Sequence, residues 1–320
     1  RDRDQYRSYL TAGYGEKISN PELPLHLISS LSAKQLELAY GGTPPTLPIP
    51  EALVAEKPIQ ERNILAEISQ TGMLKVAMRI DAAPFGYISD GKLAGYCSDF
   101  ADALSDRLTE ELDAPRPIKV ETITSSISNR FELVEQEQAH LECGPNSIVS
   151  DRPGIVFSDP FFSSGTRFLV NSGEVSQLDL NSSLEGTKLG VLDASTSKKF
   201  LQQRYPDAEI VAFDRQDAKV RGIQAVKNGD IDALVSDGVL LTGAIDRRGM
   251  DQANYQVIPQ NPLTCDYYGL ILPQGDPQWR NTINNFIHNR ASKPAFDRWL
   301  GNYYDQAIAD LDYCQNRQEQ

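Results

Sequence analysis

The side chains with the widest chemical reach in this sequence are its four cysteines and three histidines. The cysteines fall at 97, 143, 265 and 314 with no CxxC pair, so neither a zinc ribbon nor a thioredoxin-type redox centre is expected. An even count suits two disulfides in an oxidising compartment, and it equally suits four buried thiols. If bonds form, Cys265–Cys314 is the first choice, because it would tie the C-terminal tail to the last strand; Cys97–Cys143 is then the remaining pair. The histidines, His26, His140 and His288, form no HExxH. His140 and Glu142 could share a strand face, but two ligands do not make a metal site. A structural role is expected for them, and no metal or cofactor.

Composition narrows the class. The chain has 320 residues, 40% of them apolar, and a formal charge of −13. That length favours two domains, because a single core rarely grows past roughly 250–300 residues. An acidic chain lacks the basic face that a phosphate backbone needs, so no nucleic-acid partner is expected. The apolar fraction is too high for disorder, and no apolar run approaches the ~20 residues that span a bilayer. The chain opens RDRDQYRSYL, without an initiator Met or an apolar targeting stretch; a targeting segment removed before this point is one expectation.

The elements follow from pattern. PELPLHLISSLSAKQLELAYGG suggests a short helix, and GGTPPTLPIPEALVAEKP reads as a proline-rich linker. ERNILAEISQTG then spaces Ile64, Leu65 and Ile68 for a helix, with a glycine stop. Beyond it strand and helix alternate. LKVAMRI, IKVETIT and AHLECGP read as strands, with helices over SDFADALSDRLTEEL and NRFELVEQEQ. A second series follows, with strands TKLGVLD, EIVAF and IDALVSD and helices STSKKFLQQRY and KVRGIQAVKNG. YYGLILP is a last strand and QWRNTINNFIHNRA a last helix. Two such blocks in tandem predict two α/β lobes with largely parallel sheets. If the final helices return to the first lobe, the chain crosses twice and leaves a cleft at the strands' carboxyl ends.

Five stretches resemble, in order, the family 3 extracellular solute-binding proteins, the polar amino-acid receptors of ABC importers. They are PFGYISDGKLAGYCSDFADAL, ECGPNSIVSDRPGIVFSDPFF, LGVLDASTSKKFL, NGDIDALVSDGVLL and YYGLILPQGDPQWRNTINNFI. Within the family the chain looks most like the glutamate/aspartate-binding branch, through MRIDAAPF, ITSSISNRFELVEQ, HLECG and GTRFLV. The resemblance implies an α/β, two-lobed periplasmic-binding-protein type II fold, with two crossover strands forming a hinge and a ligand cleft between the lobes. It divides the chain into an N-terminal extension with its linker (1–70), lobe 1 (71–163 plus 265–320) and lobe 2 (164–264). It implies a monomer, periplasmic or extracellular with or without a lipid tether, whose partners are a free amino acid and a membrane permease.

The resemblance also implies a site. Arg152 matches the family's arginine for the ligand α-carboxylate, which a planar guanidinium can grip with two prongs. Ser195 and Thr196, opening a helix, match the second lobe's donors, where backbone N–H groups favour an anion. Asp237 matches the carboxylate that takes the α-ammonium. Arg79 at a strand end and Arg130 in SNRF align with the branch's side-chain pocket; two guanidiniums there repel unless an anion lies between them, which points to glutamate or aspartate. Lys219 falls where the branch places another basic or polar group, and a solvated loop is the competing reading. Phe85 reads either as pocket wall or as core, with Tyr87 beside it, and Asn146 and Ser147 match polar contacts at a strand end. Departures are Ala194 for the glycine of a GTT-type loop, Pro145 for a hydroxyl residue, and a longer ITSSISNR loop. They leave glutamine, or a broader polar range, as the alternative ligand. A ligand-sensing receptor domain is a further alternative. An enzyme on the same scaffold would need a spare cleft acid, and none is evident, so no catalysis is expected.

Overall fold

The computed structural model describes residues 62–318, apart from 151, 176–177, 215–216, 249, 251–252 and 290–291. The short helix expected near residues 21–42 and the proline-rich linker lie outside these residues. The first element is α1 (Ile64–Thr71). Asn63 caps it by accepting the Ala66 N–H, and Gly72 ends it at φ 68, a left-handed conformation that glycine adopts at little cost. Ile64 and Ile68 are buried.

In chain order, β1 (Met73–Arg79) is followed by the meander β2 (Asp81–Ala82), β3 (Gly86–Ser89) and β4 (Lys92–Ala94). Then come α2 (Tyr96–Glu111), β5 (Lys119–Ser125), α3 (Glu132–Glu135), β6 (Leu141–Cys143) and β7 (Ile155–Phe157). The chain crosses on β8 (Phe162–Ser164) into β9 (Thr166–Asn171), β10 (Lys188–Leu192), α4 (Thr196–Arg204) and β11 (Glu209–Phe213). α5 (Ala218–Asn228), β12 (Ala233–Asp237), α6 (Gly238–Arg248) and β13 (Tyr255–Ile258) complete this second set. The return runs through β14 (Asp266–Tyr268) and β15 (Ile271–Pro273), then α7 (Pro277–His288), α8 (Lys293–Leu300) and α9 (Tyr304–Gln318).

These strands form two five-stranded sheets with the same wiring, β5-β1-β6-β15-β7 and β11-β10-β12-β9-β13. Alternation along the strands gives each sheet two buried faces. Val76 and Met78 face one apolar cluster and Ala77 another, while Leu234 and Val235 divide between the two clusters of the second sheet. On α2, Phe100, Leu104 and Leu108 are buried as the helical stripe requires, each worth about 1.5–3 kcal/mol of burial.

Three expectations need correction. The sheets are mixed, because β9 and β15 pair antiparallel with their neighbours. These strands follow the crossovers and so enter their sheets from the opposite end. The NRFELVEQEQ helix shrinks to Glu132–Glu135. Its start is diverted into a turn in which Asn129 Oδ1 accepts the Ser126 N–H at 2.7 Å, the local competition that Asn and Ser bring to helices. YYGLILP breaks into β14, which pairs with β8, and β15, which joins the first sheet. The two crossovers approach so closely that a Cβ on Gly165 would lie 1.8 Å from the Thr264 carbonyl oxygen.

Both disulfides pair as first chosen: Cys97–Cys143 joins α2 to β6, and Cys265–Cys314 joins the hinge to α9. Arg167 on β9 adds a second tie to α9. Its guanidinium takes both Asp310 oxygens at 2.8 and 2.6 Å and donates to the Pro259 and Gln260 carbonyls.

Candidate functional site

A cleft of about 450 Å³, counting its open mouth, lies between the carboxyl ends of the two sheets. Arg79, Ile127, Arg130, Pro145 and Ser147 line it from the first lobe. Leu192, Ser195, Thr196, Ser197, Val235, Ser236, Asp237 and Leu240 line it from the second. The walls nearly meet where Ser147 Oγ stands 3.4 Å from Thr196 Oγ1. Ile127, on the long ITSSISNR loop, packs against the second lobe's apolar cluster.

The second wall is built by strand and helix ends. Asp237 is the last residue of β12 and is 5% exposed. One of its oxygens accepts the Ser197 hydroxyl at 3.4 Å and the other accepts the Tyr268 hydroxyl. Burial, reinforced by the charge of Asp266, pushes its carboxyl up to about 7. Ser195 caps α4. Its Oγ accepts the Lys198 N–H and donates to the Leu192 carbonyl at 2.6 Å. The N–H groups of the first turn are thereby aimed at the cleft with the positive end of the helix dipole. Ala194, just before the cap, sits at φ 56. A Cβ in this region costs about 1 kcal/mol relative to glycine. Ala194→Gly should therefore raise stability by about 1 kcal/mol, read as a higher urea midpoint at unchanged slope.

The first wall is cationic but partly neutralised from within. Arg79, 3% exposed, holds both oxygens of Asp81 at 2.8 Å in a bidentate pair. Burial opposes the Arg79 charge, yet Asp81 outweighs it and holds the guanidinium above its ordinary value. Asp81 is held below the carboxylate range by the same pair, against its own burial. Arg130 has no such counter-ion. Its guanidinium lies on the Phe131 ring, 4.4 Å from the centroid, and its Nε is buried without a hydrogen-bond partner. Burial first, then repulsion from Arg79, pulls it down to about 10.

Six of the ten expected residues thus meet in the cleft: Arg79, Arg130, Ser147, Ser195, Thr196 and Asp237. Four do not line it: Phe85, Asn146, Lys219 and Arg152. Phe85 is core, fully buried against Tyr96, Phe161, Phe162 and Tyr268. Tyr87, offered beside Phe85, is also absent from the lining; its ring meets Trp299 edge-on and lies under Arg247. Asn146 turns its amide to Glu142 at 2.6 Å. Lys219 is no solvated loop residue. It is the second residue of α5, 5% exposed, with Nζ buried and unpartnered; burial and then Arg79 lower it to about 8.

Arg152 departs furthest from expectation. Its side chain is 40% exposed, bonded to Glu135 at 3.1 Å, with the guanidinium 3.9 Å from the Phe131 centroid. Gly154, at φ 84, turns the chain into β7, which begins three residues after Arg152, and Glu135 and Phe131 hold the arginine there. Three guanidiniums do not converge on the cleft; two do. Arg152→Ala should therefore leave ligand affinity within about threefold of the parent in calorimetry, since only a screened, second-rank charge is lost.

Sequence reasoning missed Asp81, Ser197, Tyr268 and the apolar wall of Ile127, Leu192, Val235 and Leu240. Only Asp81 had a legible signal, an acid two residues beyond Arg79 across a strand end. His140 is structural: Nδ1 accepts the Lys75 N–H at 3.1 Å and Nε2 lies 3.1 Å from Glu67 Oε1. Among the described residues, no group of three or more His, Cys, Asp or Glu could hold a metal ion, and no helix is long and apolar enough to cross a membrane.

The cleft thus sets an acid and a helix N-terminus on one wall against two arginines on the other. The glutamate/aspartate import solute-binding protein of Salmonella typhimurium is 23% identical over 250 residues, covering 77% of this chain and 81% of its own. A putative ABC transporter arginine-binding protein of Escherichia coli is 24% identical, covering 67% and 83%. The solute receptor for L-cysteine of Neisseria gonorrhoeae shares the two-lobed fold, with a TM-score of 0.64 at 22% identity over 74% of this chain and 93% of that one. Residues 74–306, most of both lobes, match one family throughout. The chain belongs to the bacterial extracellular solute-binding proteins, family 3.

Proposed function

We propose that this chain is the substrate-binding protein of an ABC importer and captures one free polar α-amino acid by lobe closure. The observation that carries this reading is the pairing of opposites on the cleft walls. A buried acid, Asp237, and the N-terminus of α4 lie on one lobe, opposite a buried arginine with an unpartnered Nε. Asp237 takes the α-ammonium, and the first turn of α4, with Ser195 and Thr196, takes the α-carboxylate. An unpaired buried charge is very costly, so the ligand and these groups stabilise each other. Contacts on both walls favour the closed form through differential affinity.

The ligand's side chain faces Arg130 and Arg79, with Lys219 within electrostatic reach. Arg130 Nε and Lys219 Nζ both lack an acceptor. A side-chain carboxylate supplies one, and so does a carboxamide. The charge argument for a strictly acidic ligand is weakened because Asp81 already matches Arg79. The relatives' names span glutamate, aspartate and arginine, and the polar range that includes glutamine is better supported than glutamate and aspartate alone. Calorimetry with Glu, Asp, Gln, Asn, Arg and His, on protein stripped of carried-over ligand, tests both levels. Micromolar binding, about −8 kcal/mol, is expected for at least one of them. Absence of binding by all six would overturn the receptor reading, and binding of Arg or His alone would overturn the side-chain assignment.

A further inference from the structure

Glu142 is a buried carboxyl beside the cleft to which the binding scheme gives no task. It is 0% exposed and sits in β6 between Ala77 and Ile271. In register, β1 sets Arg79 beside Ser125 and Ala77 beside Glu142. Side chains two apart on a strand share a face, so Arg79, Ser125 and Glu142 project to the same side of the sheet. Ser125 Oγ donates to Glu142 Oε1 at 2.8 Å, and Asn146 Nδ2 donates to Oε2 at 2.6 Å. Both oxygens are therefore held by neutral donors, and neither arginine is bonded to them. A Cβ on Gly144 would lie 3.1 Å from Oε1, so the carboxyl is packed in place from the loop side as well.

We propose that Glu142 sets how strongly this receptor prefers an anionic over a neutral ligand side chain, by supplying behind Arg130 the negative charge that a ligand carboxylate would otherwise supply. The proposal rests on the amino-acid reading above. Arg79, Arg130 and Lys219 are the cations at the side-chain end, and Asp81 and Glu142 are the anions available to them. Asp237 is committed to the α-ammonium. With Glu142 ionised, one positive charge is left for the ligand; with Glu142 neutral, two are left. A ligand carboxylate gains from that second charge, while a carboxamide gains only hydrogen bonds that exist in either case. Glu142 is a positioning residue here, acting through Arg130 and Arg79 without lining the cleft.

Charge state gives a second handle. Burial works to keep the Glu142 carboxyl protonated, against the Asn146 and Ser125 hydrogen bonds and the charges of Arg130 and Arg79. The groups that face it are Arg79 with its partner Asp81, Arg130, Ser125 and Asn146. On acidification Glu142 gains a proton and the preference for glutamate over glutamine rises. Titration of Asp237 weakens both ligands alike and cancels from the ratio of their affinities.

The test is calorimetry of glutamate and glutamine on the full chain and on Glu142→Gln. A glutamine at this position can still accept from Asn146 and donate to Ser125. The glutamine-to-glutamate ratio of dissociation constants should rise at least tenfold in the variant at a pH where Glu142 of the parent is ionised, through tighter glutamate binding, and the difference between variant and parent should shrink as acidification protonates Glu142. A merely structural role would weaken both ligands together. Ser125→Ala, which removes one donor from the carboxylate, should move the pH at which the ratio turns to a higher value. A ratio within twofold of the parent in Glu142→Gln overturns the proposal, as does an equal loss for both ligands. If that variant does not fold, an unshifted pH profile in Ser125→Ala overturns it. Absence of binding by both amino acids to the parent protein would instead sink the receptor reading, and this proposal with it.

Discussion

Asp237→Asn should weaken ligand capture at least about a hundredfold, the loss expected when one partner of a buried, hydrogen-bonded charge pair is removed. The asparagine keeps the size, can accept from Tyr268 through Oδ1 and can donate to the Ser197 hydroxyl through Nδ2, so the fold should survive. What goes is the only charge offered to the ligand's ammonium by the groups lining the cleft. The pH profile makes the prediction specific. Burial and the charge of Asp266 push the Asp237 carboxyl up to about 7. A ligand ammonium needs the ionised form, so apparent affinity scales with the ionised fraction. Affinity should fall as pH drops through 7, by about tenfold per unit below it, and level off above about 8. Binding at neutral pH should release protons, which calorimetry in buffers of different ionisation enthalpy reads directly. In Asp237→Asn this slope should vanish. An Asp237→Asn protein that binds within threefold of the parent would remove Asp237 from the site.

Arg130→Met should change stability and affinity in opposite directions. With the lobes closed the guanidinium is buried, with an unpartnered Nε and a like charge nearby on Arg79. An unsatisfied buried group of this kind costs about 1–3 kcal/mol. Methionine fills similar space without that cost, less the Phe131 stacking, worth about 0.5–1 kcal/mol. The variant should therefore be more stable, by about 1 kcal/mol in a urea melt. Its affinity should drop about a hundredfold, because the group lost is the one whose missing acceptor the ligand provides. Parallel urea melts and calorimetry check both. A variant that is both less stable and equally tight would mean Arg130 is a packing residue.

Membership of the solute-binding family makes this chain a ligand receptor, not an enzyme, and places its work outside the cytoplasm. Its two disulfides fit that compartment. The second one is well placed to matter for closure. Cys265 precedes a hinge strand and Cys314 lies on α9, which Arg167 and Asp310 also bind to the second lobe. The C-terminal helix is therefore tied both to the crossover and to β9 of the second lobe.

What the amino-acid order alone determined is everything set over short range. The stripe of Phe100, Leu104 and Leu108 makes α2, Asn63 and Gly72 bound α1, Ser195 caps α4, and β12 ends on Asp237; each depends on residues a few positions apart. The tandem strand-helix series was enough for two lobes and a cleft at the strand ends. Tertiary structure decided which charges meet. Arg79 and Arg152 are both arginines near strand ends, yet Asp81 binds one at the cleft while Glu135 and Phe131 hold the other on the surface. Lys219 reads as a loop cation until the closed lobes bury it, and Glu142 reads as one acid among many until Arg79 and Arg130 come to stand beside it. The reason is that a charge's effect depends on its partners and on the water around it, and both come from segments distant in sequence that only the folded chain brings together.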